Sequence, residues 1–440
     1  MRNIIRSLLI ANRGEIAVRI IRTCQEMGLR TVAVYSQADA DALHVRMADQ
    51  AVCIGPPSSA DSYLNQNALL TAAMSTGCDA IHPGVGFLSE NADFAAAVQE
   101  SGLVFIGAEA STIRQLGDKI QAKKTAKAAG LPLIPGSEGP IENVDDAIKT
   151  AEKIGTPLIV KAAAGGGGRG MRIIRNPVEL EENIRIASAE ALSFFSDGTI
   201  FLERYLENPR HVEVQVLSDG KGEVIYLGER DCSVQRNYQK LLEESPSTAV
   251  NSKLRETMKK DVVRLFRKLK YAGAATVEFL VENNHHYFME VNTRVQVEHP
   301  VTELTTGVDI IREQILACSE GRMDITQNSV KINGYALETR INALTPGKVS
   351  AFEAPGGPFV RTDTFLYPGC SVSPHYDSMV AKVIIWAPDR KTGLSRMSRA
   401  LKEIRIEGIS TNIEEQLTIL ESPQFRSGRF STSLYGEIMS

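Results

Sequence analysis

Short apolar runs alternate with stretches of helical periodicity along the first hundred residues. Residues 7–11 (Ser-Leu-Leu-Ile-Ala) have the composition of a buried strand, and residues 15–27 repeat apolar side chains at helical spacing. Thr31-Val-Ala-Val-Tyr35 predicts the next strand, and two more are predicted at 51–54 and 78–81. Strands that alternate with helices in this way predict a doubly wound parallel sheet.

Two turns follow strands of this predicted sheet. The first contains one glycine, Gly14, and so lacks a dinucleotide-binding fingerprint. The second, residues 83–91, lies where doubly wound folds place their ligand loops. A turn that merely begins the next helix explains residues 83–91 equally well.

A stricter pattern occupies residues 290–298. Val291, Thr293, Val295 and Val297 fall on one parity, and the other parity is entirely polar. A period of two is the period of a strand, so an extended segment is predicted with all its polar groups on one face. Two carboxylates, two amides and a guanidinium in register favour a reactive or metal-binding face over a solvated edge strand. These five polar residues are Glu290, Asn292, Arg294, Gln296 and Glu298.

The segment before this strand predicts its partner. Residues 276–282 are also strand-like, and Asn283-Asn284 has turn chemistry. A hairpin loop of three or five residues would place Glu278 directly opposite Glu290, where two bare carboxylates would repel each other. A divalent cation removes that repulsion. Mg²⁺ or Mn²⁺ is therefore predicted at Glu278, Glu290 and the amide of Asn292, with substrate phosphates and water as the remaining ligands.

A run of glycines interrupts another strand-like region. Residues 157–174 contain Gly165, Gly166, Gly167 and Gly168, followed by Gly170, and no Walker GK[ST] motif. Because β-rich segments flank the run, a strand–loop–strand flap over phosphates is favoured over a flexible linker. Lys161 precedes the loop and could reach those phosphates.

Three further segments have a distinctive polarity. His211, Glu213 and Gln215 share one strand face, and residues 228–240 are polar and irregular enough to predict a loop at the site. Residues 253–270 predict an amphipathic covering helix with a basic face. A third structural unit begins near residue 330, where Arg340 shares strand parity with Glu338, so that a structural ion pair is one explanation of Arg340.

Composition narrows the possible functions. The chain has 440 residues and a formal net charge of −4, which gives no electrostatic argument for binding nucleic acid or an anionic membrane. Its six cysteines are scattered without a CxxC pair, as expected for reduced thiols in the cytoplasm. No apolar run reaches membrane-spanning length, and the apolar start is too short for a signal peptide.

Six motifs together resemble those of biotin carboxylases, the ATP-grasp components of biotin-dependent carboxylases, over nearly the whole chain. The resemblance implies a doubly wound pre-ATP-grasp domain (1–115), an ATP-grasp core (116–330) with a mobile glycine-rich flap (about 131–205), and a mixed C-terminal domain (331–440). The motifs are Ile-Ala-Asn-Arg-Gly-Glu-Ile-Ala (10–17), His-Pro-Gly-x-Gly-Phe-Leu-Ser-Glu-Asn (82–91), Gly-Asp-Lys (117–119), the glycine run, Glu-Arg-Asp-Cys-Ser (229–233) and residues 290–303.

The resemblance also implies functional residues, carried over position by position. The nucleotide positions are Lys119, Lys161, Gly165, Gly166, Gly167, Gly168, Glu203, Arg204, Leu206, His211, Gln235, Glu278 and Glu290. The metal positions are Glu278, Glu290 and Asn292. The bicarbonate positions are Lys240, Arg294, Gln296, Val297 and Glu298, and Arg340 lies beside biotin. Catalytic roles are implied for Arg294, Glu298, Lys240 and Arg340.

The activity implied is ATP-dependent carboxylation of biotin by bicarbonate through carboxyphosphate, the first half-reaction of an acyl-CoA carboxylase, as in fatty acid biosynthesis. ATP and Mg²⁺ or Mn²⁺ are then required, with carrier-bound biotin as the substrate. The chain lacks the Met-Lys-Met motif of a biotinyl domain, so the implied partners are a separate biotin carboxyl carrier protein and carboxyltransferase subunits. Relatives are commonly homodimers.

The sequence departs from the family pattern at four places. On the acceptor side, Val85 replaces a usual aromatic residue and the segment after Arg340 is shortened. On the nucleotide side, Tyr238 replaces a histidine and Ala163-Ala164 replaces the polar and glycine start of the flap. These departures leave two alternatives open. One is a related ATP-grasp ligase that activates bicarbonate for a urea or amine, and the other is a nucleotide-binding subunit without turnover.

Overall fold

The N-terminal unit is a five-stranded parallel sheet, as the sequence predicts. A computed structural model describes residues 4–137, 139–141, 143–162, 171–195 and 197–439. Strand order is β3-β2-β1-β4-β5, and every neighbouring pair is parallel. The elements are β1 (Ser7–Ile10), α1 (Gly14–Glu26), β2 (Arg30–Ser36), α2 (Leu43–Met47), β3 (Gln50–Gly55), α3 (Gln66–Ser75), β4 (Ala80–His82), α4 (Ala92–Glu100) and β5 (Val104–Phe105).

A second, smaller sheet follows two linking helices. Its strand order is β7-β6-β8 and both pairs are antiparallel, which confirms the predicted strands on either side of the glycine run. The glycines themselves lie outside the described residues. The elements are α5 (Ala110–Gly117), α6 (Lys119–Ala128), α7 (Val144–Ile154), β6 (Leu158–Ala162), β7 (Met171–Ile174), α8 (Leu180–Phe195) and β8 (Ile200–Arg204). We call β6, β7 and β8 the small sheet.

The large sheet has eight strands in the order β13-β12-β9-β10-β11-β14-β19-β17. Strands from both sides of residue 331 therefore pair in one sheet. Its first half and the adjoining helices are β9 (Arg210–Asp219), β10 (Val224–Arg236), β11 (Gln239–Ser245), α9 (Ser252–Leu269), β12 (Ala272–Glu282), β13 (His285–Asn292), α10 (His299–Thr306) and α11 (Ile310–Glu320).

The remaining strands complete the large sheet or form two small ribbons, and three helices follow near the end. Val383, Ile385 and Leu337 belong to the apolar core of this part, against which α12 packs through Met397. The elements are β14 (Tyr335–Asn342), β15 (Gly347–Lys348), β16 (Ala351–Glu353), β17 (Val360–Thr364), β18 (Ser371–Val372), β19 (Met379–Ala387), α12 (Arg390–Glu403), β20 (Arg405–Glu407), α13 (Ile413–Glu421), α14 (Pro423–Ser427) and α15 (Leu434–Met439).

The prediction of a loop at residues 228–240 is wrong. Most of these residues belong to β10 and β11, which pair with each other around a turn at Asn237-Tyr238. Glu229, Arg230 and Asp231 point into a buried polar layer instead of solvent, and Arg230 has no exposed surface. The amphipathic helix predicted at 253–270 is confirmed as α9. None of the helices among the described residues combines the length and apolar composition needed to cross a bilayer.

Candidate active site

The β12–β13 hairpin sets two glutamates opposite each other. Glu278 pairs with Glu290, as predicted, but the loop has two residues instead of three or five. Asn283 and Asn284 both have positive φ, the backbone conformation of a tight hairpin turn. A shift in register beyond Phe279 adds one residue on β13, and this extra residue restores the parity that brings the two carboxylates together.

The predicted strand over 290–298 is too long. β13 ends at Asn292, and an irregular segment leads into α10, which has Pro300 in its first turn. Val295 of one parity and Gln296 of the other are both buried. The alternating segment therefore passes through a buried polar layer. Its apolar and polar side chains are both buried there, so the alternation does not distinguish a core face from a solvent face.

Glu298 lies at the start of α10 between two cations. Its Oε1 accepts from Lys240 Nζ at 2.7 Å, and its Oε2 accepts from Arg340 Nη2 at 3.0 Å. Burial opposes ionisation, but Lys240, Arg340 and Arg230 together hold the pKa of Glu298 well below its usual range. The carboxylate is thus ionised at neutral pH, the form in which it can accept a proton.

Lys240 joins three carboxylates. Its ammonium donates to Glu213 at 2.7 Å, to Glu278 at 3.1 Å and to Glu298 at 2.7 Å. Although burial opposes the charge, these anions and the neighbouring Cys232 raise the pKa of Lys240 well above its usual value. His211, Glu213 and Glu278 come close enough to hold a metal ion, as do Glu213, Cys232 and Glu298. In both sets, the cation that binds the carboxylates here is the ammonium of Lys240.

Glu278 anchors the other side of this arrangement. Its Oε2 meets His211 Nε2 at 2.7 Å, and its Oε1 accepts from the amides of Asn292 at 2.9 Å and Gln296 at 2.8 Å. Burial opposes ionisation, yet Lys240 and His211 keep the pKa of Glu278 well below its usual range. We call the hydrogen-bonded set the central network. It comprises His211, Glu213, Arg230, Gln235, Lys240, Glu278, Asn292, Arg294, Gln296, Glu298 and Arg340.

Glu290 differs from the other carboxylates of the site. Its side chain reaches solvent, and no hydrogen bond or ion pair to another described residue engages it. Crowding by the surrounding protein and the charge of Glu278 raise its pKa, while Lys119 is among the cations that lower it. An unengaged carboxylate directly opposite a second carboxylate, on the strand that also carries Asn292, fits a hard divalent cation. The residues present are therefore compatible with the metal predicted at Glu278, Glu290 and Asn292.

Arg294 makes its contacts at the site through its side chain, and Val297 makes its contact through its backbone carbonyl. Arg294 donates to Glu90 at 2.8 Å and to the Asn292 side-chain oxygen at 3.0 Å. Glu90 comes from the 83–91 turn, which thus reaches the site. The Val297 carbonyl accepts from Lys382 Nζ at 2.7 Å.

Arg340 contacts other partners than Glu338. Its guanidinium donates to Glu243 Oε1 at 2.6 Å and reaches Glu298 from the opposite side. No hydrogen bond or ion pair joins it to Glu338 in the described structure. The predicted alternative, a structural ion pair with Glu338, is therefore wrong, and Arg340 joins the C-terminal strands to the central network.

The remaining nucleotide candidates lie on or near the small sheet. Lys161 Nζ donates to Glu203 Oε2 at 2.5 Å, and Lys123 donates to the other oxygen of Glu203. Arg204 is exposed and donates to a backbone carbonyl, while Leu206 is buried. Lys119 is the first residue of α6 and is exposed. Gly165, Gly166, Gly167 and Gly168 lie outside the described residues.

Four charged residues of the site did not follow from sequence reasoning. Arg230 donates to Glu213, Gln215 and Gln296 from a fully buried position, and Glu243, Glu90 and Lys123 anchor predicted residues. A signal for Arg230 existed. The paired strands β9 and β10 place Arg230 opposite Glu213, so reading 228–240 as a strand would have indicated their pairing.

Three family models match consecutive parts of the chain. The model "Biotin carboxylase, N-terminal domain" matches residues 4–113, and "Biotin carboxylase C-terminal domain" matches residues 338–437. Between them, "Carbamoyl-phosphate synthase L chain, ATP binding domain" matches residues 118–324.

Three of its relatives match this chain over almost their whole length. Biotin carboxylase 1 of Bacillus subtilis is 52% identical over 438 residues, which cover 97% of each chain. Among solved structures, biotin carboxylase from Campylobacter jejuni in a β-γ-ATP complex has a TM-score of 0.91 and 44% identity, covering 98% of this chain and 99% of that chain. The biotin carboxylase domain dimer of Hydrogenobacter thermophilus 2-oxoglutarate carboxylase, in complex with MgADP, ADP and bicarbonate, has a TM-score of 0.90 and 43% identity, covering 98% and 97%. The chain therefore belongs to the biotin carboxylase family.

Proposed function

We propose that this protein carboxylates biotin on a separate carrier protein, using ATP and bicarbonate and passing through carboxyphosphate. The observation that carries the proposal is the placement of Glu298, a buried and ionised carboxylate held between Lys240 and Arg340. A relative of 43% identity has been solved with MgADP and bicarbonate, which supports the same pair of substrates here.

In the first step, Glu298 removes the proton of bicarbonate, which is otherwise a poor nucleophile. Lys240 and Arg294 hold the resulting charge, and Gln296 and Val297 line the bicarbonate position. The bicarbonate oxygen then attacks the γ-phosphorus of ATP, the bond to the β-phosphate oxygen breaks, and ADP and carboxyphosphate result. Because Glu298 is already ionised, no prior deprotonation of the enzyme is needed.

Residues on or near both the small sheet and the large sheet are proposed to bind the nucleotide. Lys161, Lys119 and the glycine run are proposed to contact its phosphates, while Glu203, Arg204, Leu206, His211 and Gln235 line its remaining surface. Glu278, Glu290 and Asn292 would hold Mg²⁺ or Mn²⁺, which when bound offsets negative charge on the phosphates.

In the second step, carboxyphosphate separates into CO₂ and phosphate. The phosphate takes the proton from the ureido nitrogen of biotin, and the nitrogen then attacks CO₂ to give carboxybiotin. Arg340 is proposed to stabilise the negative charge that develops on the ureido oxygen. Exclusion of water from the site protects carboxyphosphate from hydrolysis.

The assembly is proposed from the family. We infer a homodimer, a biotin carboxyl carrier protein and carboxyltransferase subunits as partners, a cytoplasmic location, and functional units at 1–115, 116–330 and 331–440. The biotin carboxylase domain of Hydrogenobacter thermophilus 2-oxoglutarate carboxylase is a dimer, which supports the homodimer proposed here.

Bicarbonate-dependent ADP release, measured with and without free biotin, tests the function. Biotin is expected to stimulate ADP release in the wild type, and the stimulation is expected to disappear in Glu298→Gln and in Arg340→Ala. ADP release that requires bicarbonate but ignores biotin would indicate another acceptor, such as a urea or amine. Nucleotide binding without turnover would leave only a regulatory role.

A further inference from the structure

Two buried glutamates lie side by side beneath Arg340. Glu243 of β11 and Glu338 of β14 are directly opposite each other in the antiparallel register, so their side chains project from the same face of the sheet. Neither residue has any exposed surface. Two ionised carboxylates in this arrangement would repel each other without water to screen the charge.

Their oxygens are unequally engaged. Glu243 Oε1 accepts from Arg340, but Glu243 Oε2 and both oxygens of Glu338 have no hydrogen-bond partner among the described residues. The nearby Lys382 does not supply one, since its ammonium donates to the Val297 carbonyl and lies 3.2 Å from Glu15. Buried acceptors without a donor are rare and unfavourable, and a proton on one of the two carboxyl groups would supply a donor.

We propose that Glu243 and Glu338 share a single proton, with Glu338 as the neutral acid that donates to Glu243 Oε2 and Glu243 as the ionised member that positions Arg340. The proton supplies a donor to one unpartnered acceptor and removes the repulsion between the two glutamates. Neither glutamate needs to touch a substrate in this arrangement. Both are positioning residues, because they act through the guanidinium of Arg340.

The burial of the pair agrees with this distribution. Burial, the dominant influence, raises the pKa of Glu338 well above its usual range despite the opposing charge of Lys382, and raises that of Glu243 to about 7 despite Arg340. Four charged groups lie near the pair, two on its own strands and two on neighbouring segments. They are Lys240 on β11, Glu298 before α10, Arg340 on β14 and Lys382 on β19.

The pair of glutamates has a consequence for the proposed carboxylation of biotin. This part of the inference rests on that proposed function. Arg340 is shared between Glu243 and Glu298. When Glu298 accepts the proton of bicarbonate, its attraction for Arg340 falls. Glu243 then keeps the guanidinium in place for the second step, provided that Glu338 rather than Glu243 carries the buried proton.

Infrared difference spectroscopy tests the proton without reference to activity. Wild-type protein at mildly alkaline pH is expected to show the C=O band of a protonated carboxylic acid that Glu338→Gln lacks. Thr339→Val is the matched control, because Thr339 is equally buried on the same strand but contacts Met397 on the other face. Identical carboxylic-acid bands in wild type and Glu338→Gln would overturn the proposal.

Kinetics test the positioning role. Glu338→Ala is expected to lower the biotin-stimulated kcat about tenfold or more, because Glu243 loses its donor. Glu338→Gln is expected to keep most of the wild-type kcat, because its uncharged amide can donate to Glu243. Glu243→Gln is expected to lose the acidic limb of the pH profile of the biotin-stimulated kcat. An equal loss in Glu338→Ala and Glu338→Gln would overturn the neutral assignment. A wild type without biotin stimulation would instead refute the proposed function, and the infrared result would still decide the proton.

Discussion

Lys240 and Lys161 both bind carboxylates, but in very different surroundings. Lys240 is shared by three carboxylates, and its side chain is 13% exposed. Lys161 and Lys123 converge on the single carboxylate of Glu203, with side chains that are 35% and 44% exposed. The central network thus surrounds one cation with anions, whereas the small sheet and α6 together bring two cations to one anion.

The difference indicates where the protein has fixed its charges before substrate arrives. In the central network, protein dipoles and ions already hold Glu298 and Lys240 in place, the arrangement that favours electrostatic catalysis because little reorganisation is needed. Where the small sheet meets α6, two lysines and one glutamate leave an excess of positive charge near solvent. Such an arrangement can accept phosphate oxygens with little loss of internal stability.

Removing the shared cation of the central network is expected to produce the largest effect. Lys240→Met leaves Glu213, Glu278 and Glu298 without their common partner, and a buried ion network that loses one member is destabilised by about 3–5 kcal/mol. Urea unfolding of the variant measures this loss.

The matched control for this change is Lys260→Met, at an exposed lysine of α9. Its free energy of unfolding should stay within about 0.5 kcal/mol of the wild type. Equal, small changes in both variants would show that Lys240 is a peripheral charge and not the shared cation of a buried network.

The helix α10, which begins directly after Glu298, supplies a second, pH-dependent effect. Glu303 of α10 accepts from Arg19 of α1 at 2.9 Å and from Arg361 of β17 at 2.6 Å. Although burial opposes ionisation, these arginines lower the pKa of Glu303 from 4.5 to about 2. Ionised Glu303 therefore stabilises the fold above pH 4.5, and this contribution is lost as the pH falls towards 2.

Glu303→Gln is accordingly expected to lower the free energy of unfolding by about 3 kcal/mol at neutral pH. The difference from wild type should shrink as the pH falls from 4.5 towards 2. Denaturant unfolding at neutral pH and between pH 4.5 and 2 measures both quantities, with Glu421→Gln, at an exposed glutamate, as the control. A difference that grows on acidification would contradict the assignment of α10 as an electrostatically anchored support of the site.

Sequence patterns predicted the parts of this molecule in which each strand or helix has one apolar face or a fully buried apolar run. The parallel N-terminal sheet, α9 and the pairing of Glu278 with Glu290 are of this kind. The length of β13 was wrong, because alternation in residues 290–298 continues after the hydrogen-bonded strand has ended at Asn292. Periodicity reports the spacing of side chains, and an irregular segment with both parities buried can share that spacing.

The charged interior could not be predicted from spacing. A run such as Glu229-Arg230-Asp231 resembles a solvated loop, and only the neighbouring strands supply the partners that make its burial possible. The link from Arg340 to Glu243 likewise joins residues 97 positions apart. Such contacts depend on the order of strands in the large sheet, which local sequence does not encode.

The smallest effect on stability is expected at the small sheet, and there it should separate from activity. Lys161→Met removes one of two lysines from Glu203, and because both lysines are over a third exposed, the free energy of unfolding should change by less than about 1 kcal/mol. The KM for ATP should nevertheless rise about tenfold or more, because a phosphate ligand loses a charge-assisted partner.

Lys124→Met, at an exposed lysine of the neighbouring helix α6, should alter neither quantity. If Lys161→Met instead lost several kcal/mol of stability with an unchanged KM, the lysine would serve the fold and not the nucleotide. Because Lys123 remains bound to Glu203 in the variant, the small sheet should keep its structure, and the change in KM then measures what Lys161 contributes to the phosphates alone.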